Sequence, residues 1–258
     1  MRFGICTTIE KSTAARDAGW DFIEESVQGL LKGLEPDESW TGRERASQSA
    51  LPILSANMLV PASLKVTGPD VDREQLVAYM RAVLRRADAL DIRTLVFGSG
   101  GARNVPDGFP RDTAAEQITE FVRTSAAVAA EYNVTIVIEP LHRGECNIIN
   151  SVAEAMKYVA AVGHPNLRCL VDSYHSWIEQ EPLEDVRVAM PSIRHVHVAD
   201  KTGRTPPGES GESDYRPLFR VLKEGGYDGL ISVEPKSFDV PSTGARVLEF
   251  LRTQWRDA

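Results

Sequence analysis

The stretch VTIVIEPLHRGE, Val134 to Glu145, is an apolar, β-branched run that ends on the carboxylate Glu139, followed by Pro140 and a loop carrying His142, Arg143 and Glu145. The run reads as a buried strand. A charge closing such a strand has two explanations: the chain emerges into water there, or the carboxylate stands at the mouth of a site. Taken alone, Glu139 reads as a solvated strand end. The rest of the chain repeats the pattern, and the repetition changes that reading.

Working outward, short apolar runs alternate with amphipathic stretches from end to end. Strands are expected at Arg2–Cys6, Asp21–Ser26, Pro52–Asn57, Thr94–Gly98, the opening stretch, Arg168–Asp172, Ile193–Val198 and Leu230–Glu234. Between them, Gly19 and Gly225-Gly226 read as helix stops, and a helix is expected near Arg43–Ala50. Asp72 reads as an N-cap with Gln75 three residues on, ahead of Leu76, Met80, Val83, Ala87 and Leu90 at helical spacing. Asp112 reads as the cap of a helix burying Ile118, Phe121, Val122, Ser125 and Val128, and Ser151 with Glu154 as a capping box. Further helical stretches are expected over Glu181–Met190, through Leu218 and Leu222, and through Val247, Phe250, Leu251 and Trp255.

Eight strands separated by helical crossovers must run parallel, and at 258 residues they close most economically into a single (β/α)8 TIM barrel spanning 1–258, with the helices outside. The rival is an open doubly wound sheet. The glycine-rich loop GSGGARNVPDGFP follows the fourth strand and not the first, and it lacks a GxGxxG dinucleotide fingerprint.

Composition sets outer bounds. With 42% hydrophobic residues and a mean hydropathy of −0.23, the chain has the makings of an ordinary globular core. A net charge of −8 argues against non-specific nucleic-acid binding and against attachment to anionic membranes. Cys6, Cys146 and Cys169 are scattered without CxxC spacing, as expected of reduced thiols. With no apolar segment of signal-peptide or transmembrane length, a cytoplasmic location is the expectation.

In such a barrel the C-terminal strand ends ring one mouth. Glu139, Asp172, the histidines of IRHVHV and Glu234 close four successive strands. His195 and His197 lie two apart on one face, with His197 nearer the mouth and His195 one layer deeper. Three converging carboxylates would repel or stay protonated, and a divalent cation resolves this. Oxygen donors with a single imidazole favour Mn2+ or Mg2+, with Co2+ as an alternative, over the Cys/His sets of structural zinc.

These residues resemble the xylose-isomerase-like TIM barrels of sugar isomerases and epimerases, most nearly the ketose 3-epimerases of the D-tagatose/D-psicose type and the hydroxypyruvate isomerases. IEPLHRGE is similar to the family's metal-binding glutamate with a substrate-contacting glutamate six residues on, implying those roles for Glu139 and Glu145. VDSYH implies a metal-binding Asp172 with a substrate-binding His175; HVHVADKTGR implies a metal-binding His197 and a substrate-binding Arg204; SVEPK implies Glu234 as the last ligand. GWDFIEES resembles the second-strand segment, with Glu24 in its usual acidic position. The resemblance implies metal-assisted proton transfer α to a carbonyl through an enediolate, with Glu139 and Glu234 as the catalytic pair on a sugar or keto-acid substrate. It also implies a homodimer or homotetramer.

The sequence departs from the epimerase pattern around the substrate. The interval from His197 to Arg204 is one residue longer, PPGESGESDY is stretched with Tyr215 in the aromatic place, His142 stands where many epimerases carry asparagine, and Cys6-Thr7 lack the aromatic residues of the first strand end. Other readings on the same barrel are a dehydratase of the inosose or dehydroshikimate type, an abasic-site endonuclease, and a non-catalytic sugar-binding barrel. The endonuclease calls for more histidines and a basic groove, whereas this chain has five histidines and a negative charge.

Overall fold

A computed structural model describes residues 1–258. Its strands are β1 (Arg2–Cys6), β2 (Phe22–Ser26), β3 (Ile53–Asn57), β4 (Thr94–Phe97), β5 (Thr135–Ile138), β6 (Leu167–Asp172), β7 (Ile193–Val198) and β8 (Leu230–Val233). They pair in chain order, all parallel, and β8 closes onto β1. The open-sheet alternative is thereby excluded. Glu139 and Glu234 fall one residue beyond their strands, yet each backbone N–H continues the ladder, to Phe97 O at 3.2 Å and Val198 O at 3.0 Å.

Several helix boundaries differ from the sequence expectation. Asp72 does cap the helix Arg73–Ala89, accepting from Gln75 N at 3.0 Å. Asp112, however, is not a cap: its helix starts at Arg111 behind Pro110, which places Asp112 in the first turn, where its charge meets the positive end of the helix dipole. Only half of the box at Ser151 forms, because Glu154 reaches back to Asn150 N and not to Ser151. The helix near Arg43 covers only Gly42–Ala46. The stretch from Glu181 to Met190 holds a helix only over Leu183–Ala189, with another at Ser173–Glu179 before it.

Two cores result. Most buried apolar side chains, 64 residues, form one cluster containing the strand faces turned toward the helices and the helix faces that cover them. Val96, Val137 and Leu170 form a separate cluster inside the barrel. Val137 and Leu170 lie two residues before Glu139 and Asp172, just as His195 and Ser232 precede His197 and Glu234. Strand periodicity of two thus stacks one interior layer directly beneath the mouth. On the β4–β6 side that layer is hydrocarbon; on the β2, β3, β7 and β8 side it is polar.

Candidate active site and metal centre

Glu139, Asp172, His197 and Glu234 each offer one donor atom, and the four atoms lie within 4.8 Å of one another. Each is held there by a specific local device. Glu139 leans against Gly98, where a Cβ would meet its Oε2 at 2.1 Å, so any side chain at that point of the glycine loop would push the carboxylate out of its present position. Its carbonyl accepts from the wholly buried Arg103, which also binds Phe97 O and so ties the ends of β4 and β5 together. Asp172 divides its two oxygens. Oδ1 caps the helix Ser173–Glu179 through Tyr174 N at 2.7 Å, while Oδ2 faces the mouth. Glu234 accepts from Asn57 Nδ2 at 2.8 Å and from Arg204 Nη2 at 2.5 Å. His197 turns Nδ1 to Glu139 Oε1 at 3.0 Å and Glu234 Oε2 at 3.4 Å, and Nε2 to Glu24 Oε1 at 2.9 Å.

The electrostatics show a cluster short of positive charge. Burial, and then the charge of Glu234, raise the pKa of Glu139; burial also raises that of Asp172, with Arg204 opposing. Burial works against the charge of Glu234 as well, but His197 and Arg204 outweigh it and hold the group at about 2. His197 is buried, which disfavours its cation, yet Glu24 and Glu234 raise its pKa well above the usual imidazole range. A proton on His197 and the guanidinium of Arg204 therefore offset only part of the carboxylate charge, and Glu139 and Asp172 stay raised. Oxygen-rich donors with one imidazole, buried and repelling one another, fit a hard or borderline divalent cation.

The three residues with expected substrate roles also meet here. His175 accepts the His142 N–H on Nδ1 at 3.0 Å, so its ring proton sits on Nε2. Burial lowers its pKa to about 4, which keeps it neutral. Nε2 is buried without a hydrogen-bond partner, 3.7 Å from Asp172 Oδ2 and 4.0 Å from Glu145 Oε2. His142, Glu145 and His175 have metal-like spacing, but a nitrogen carrying a hydrogen is a donor and not a ligand. Glu145 accepts from His142 Nε2 and from Arg204 Nη1, both at 3.2 Å.

Arg204 reaches the site despite the longer interval from His197. Its backbone is left-handed, φ 49°, and its guanidinium lies 4.9 Å over the Tyr174 ring. The stretched loop behind it is organised by buried Asp200, which accepts from Gly208 N, Ser210 N, Ser210 Oγ and Tyr215 Oη. Tyr215 is thus a buried loop anchor in the place where an aromatic was expected.

Three site features were not assigned from sequence. Asn57 ends β3 as Glu139 follows β5, a polar group closing an apolar strand, so the same signal was available. Gly98 sits in the glycine loop whose purpose was left open. Cys6 turns inward beside Glu24 and lies within 4.8 Å of donor atoms of His197 and Glu234.

A cavity of about 390 Å3 opens over these residues, bounded by Glu139, Glu145, Arg204 and Glu234 on one side and by Gln28, Asn57, Met58 and the strip Gly98–Gly101 on the other. A smaller, mostly apolar hollow between the helices Arg73–Ala89 and Arg111–Glu131 lies in the outer layer, away from the strand ends. No helix is long and apolar enough to cross a membrane.

A family model described as "Xylose isomerase-like TIM barrel" matches residues 13–254. A putative hydroxypyruvate isomerase of Mus musculus is 31% identical over 162 residues, 60% of this chain and 57% of that protein. The D-psicose 3-epimerase of Agrobacterium fabrum is 27% identical over 247 residues, 93% of this chain and 81% of that one. Among solved structures, a D-allulose 3-epimerase from Methylomonas sp. in complex with D-allulose superposes with a TM-score of 0.83 at 21% identity, covering 98% of this chain and 97% of the other.

Proposed function

The chain belongs to the xylose isomerase-like TIM-barrel family, and on that premise we propose that it is a divalent-metal-dependent epimerase or isomerase of a ketose or related keto-sugar. The observation that carries this reading is the pair Glu139 and Glu234, which leave β5 and β8 and send oxygens to the point that Asp172 and His197 also face. These four residues would hold the cation, Mn2+ by expectation, with Mg2+ or Co2+ as alternatives. When bound, it supplies polarisation of the substrate's carbonyl and hydroxyl oxygens, which makes the neighbouring C–H acidic.

Glu139 and Glu234 form the proton-transfer pair: one removes the proton from the carbon beside the carbonyl and the other returns one. Return to the opposite face of the same carbon is epimerisation; return to the adjacent carbon is isomerisation. His175 donates its unpartnered Nε2–H to a substrate oxygen, Glu145 accepts from a substrate hydroxyl, and Arg204 offsets negative charge developing on the substrate.

The cavity lining favours a neutral substrate. Arg204 is the one cationic side chain among its 14 lining residues, and its Nε, Nη1 and Nη2 each already donate to Glu234 or Glu145. A phosphate or carboxylate lying beyond the cation would sit beside Glu145 and the other carboxylates without a free protein cation to meet it. A neutral polyhydroxy ketone meets only donors and acceptors. The same acidic lining disfavours a nucleic-acid backbone.

The test is solvent exchange. Protein loaded with Mn2+ is incubated in D2O with D-fructose, D-psicose, D-tagatose and hydroxypyruvate, and the products are read by NMR. Deuterium is expected next to the carbonyl of a neutral ketose, and its position separates epimerase from isomerase. Absence of exchange across the neutral ketoses, or exchange confined to hydroxypyruvate, overturns the reading.

A further inference from the structure

Directly beneath the rim lies a buried carboxylate that the proton-transfer chemistry does not use. Glu24, in β2, is 1% exposed, and its two oxygens take four hydrogen bonds. Oε2 receives three of them, from Ser55 Oγ at 2.7 Å, Ser232 Oγ at 2.7 Å and His195 Nε2 at 2.6 Å. Oε1 receives one, from His197 Nε2 at 2.9 Å. An oxygen ringed by three donors is in the environment of an ionised carboxylate, which only accepts. His195 gives its one N–H to this arrangement and leaves its buried Nδ1 with no partner, so the layer is assembled around Glu24 and not around His195.

The consequence falls on His197. A neutral imidazole that donates from Nε2 has its lone pair on Nδ1, so a cation taking the place of the Nδ1 proton is met by the nitrogen that faces Glu139 and Glu234. We propose that Glu24 is a positioning residue of the metal centre: by holding the hydrogen of His197 on Nε2, it dedicates Nδ1 to the cation. Carboxylates placed behind metal-bound histidines act in this way generally, fixing both tautomer and ring orientation. The inference rests on reading the rim as a metal centre.

Glu24→Gln tests it with an isosteric change. The amide oxygen is best placed toward the three donors, since the alternative surrenders three hydrogen bonds to keep one. The amide NH2 then faces His197 Nε2, which must become an acceptor, and the ring hydrogen moves to Nδ1. Ser232→Ala is the control, because it removes a donor from the other oxygen and leaves the His197 contact in place. Mn2+ affinity, followed through the EPR signal of the free ion, is expected to fall about 10- to 100-fold in Glu24→Gln and to stay near wild type in Ser232→Ala.

Circular dichroism on the metal-free proteins checks that both variants are folded. In the Mg2+-loaded wild type, NMR should show a slowly exchanging ring N–H at His197 Nε2, and the Gln variant should lose it. Wild-type affinity in Glu24→Gln, or equal losses in both variants, overturns the assignment while leaving the metal centre standing. Failure of the wild type to bind Mn2+ overturns both. Should Glu24→Gln not fold, Glu24→Asp serves in its place, with the same loss of affinity expected from a shortened reach to Nε2.

Discussion

Two sets of buried carboxylates lie one layer apart in this barrel, and they are in opposite condition. The lower is Glu24, enclosed by two hydroxyls and two imidazoles; burial opposes its charge, but His197 and His195 outweigh it and keep the carboxyl well below its ordinary range. The upper is the group Glu139, Asp172 and Glu234, where burial and mutual repulsion push the first two upward. All four are carboxylates, and Glu139 and Asp172 are as buried as Glu24, with Glu234 partly open to the cavity. What differs is the supply of donors: the lower layer is complete with protein atoms alone, whereas the upper one, even with Arg204 beside it, leaves Glu139 and Asp172 to be balanced by borrowed protons or by an added cation. A buried acid whose partners are all present reads as structure, and one whose partners fall short reads as a site.

That contrast can be broken from either side. The largest effect is expected from Glu234→Gln, which removes one half of the proposed proton-transfer pair: turnover should fall about 10^2- to 10^4-fold with the circular dichroism spectrum unchanged, and undiminished turnover would remove its acid/base role. Next, Asp172→Asn and Glu139→Gln should each carry substoichiometric metal by elemental analysis where wild type carries one ion per chain. Full metal content in either would sink the ligand assignment.

The third experiment compares stabilities in the absence of metal. Glu24→Ala strips four donors of their acceptor and leaves His197 without its lower partner, so a loss of about 3–5 kcal/mol by denaturant titration is expected. Glu139→Gln relieves repulsion and should be no less stable than wild type at neutral pH. Equal losses would erase the distinction between the layers.

The pH dependence has a defined sign. A carboxyl raised in the fold, such as Glu139, contributes stability that is lost as pH rises from its ordinary 4.5 through the elevated folded value. Glu234, lowered to about 2, contributes stability present above 4.5 and lost as pH falls toward 2. Thermal unfolding of the metal-free protein should therefore retain a decline above pH 4.5 that Glu139→Gln flattens; an unchanged slope would count against the upward shift. The smallest effect is expected from His142→Asn. It takes from Glu145 one of its two donors, and a rise in KM of severalfold, about 1 kcal/mol, with kcat nearly unchanged, would place His142 in substrate positioning. An equal fall in kcat would not.

The fold was legible because its signals are local. Eight apolar runs separated by helical periodicity specify parallel strands, and parallel strands of a closed barrel put every C-terminal end on one rim. Glu139, Asp172, His197 and Glu234 were legible for the same reason, since a strand end fixes which rim a residue occupies without any long-range information. The substrate-facing residues were legible only through family resemblance, which says nothing of their state. That His175 carries its hydrogen on Nε2 follows from one backbone N–H, and that Arg204 folds back over Tyr174 follows from a left-handed turn and the Asp200 loop. Asp112 failed as a cap because Pro110 starts the helix first, a contest between neighbours that composition does not settle.

What the sequence determined by itself is the barrel, its rim and the four donors. What only the tertiary structure decided is which nitrogen of His197 faces the rim, what shares the mouth with the free oxygen of Asp172, and what steadies Glu234. The first and last of those answers come from Glu24 and His197, 173 residues apart, and from Asn57 and Glu234, 177 apart. Hydrogen bonds act over about 3 Å in space, and only barrel closure brings such distant positions within that reach.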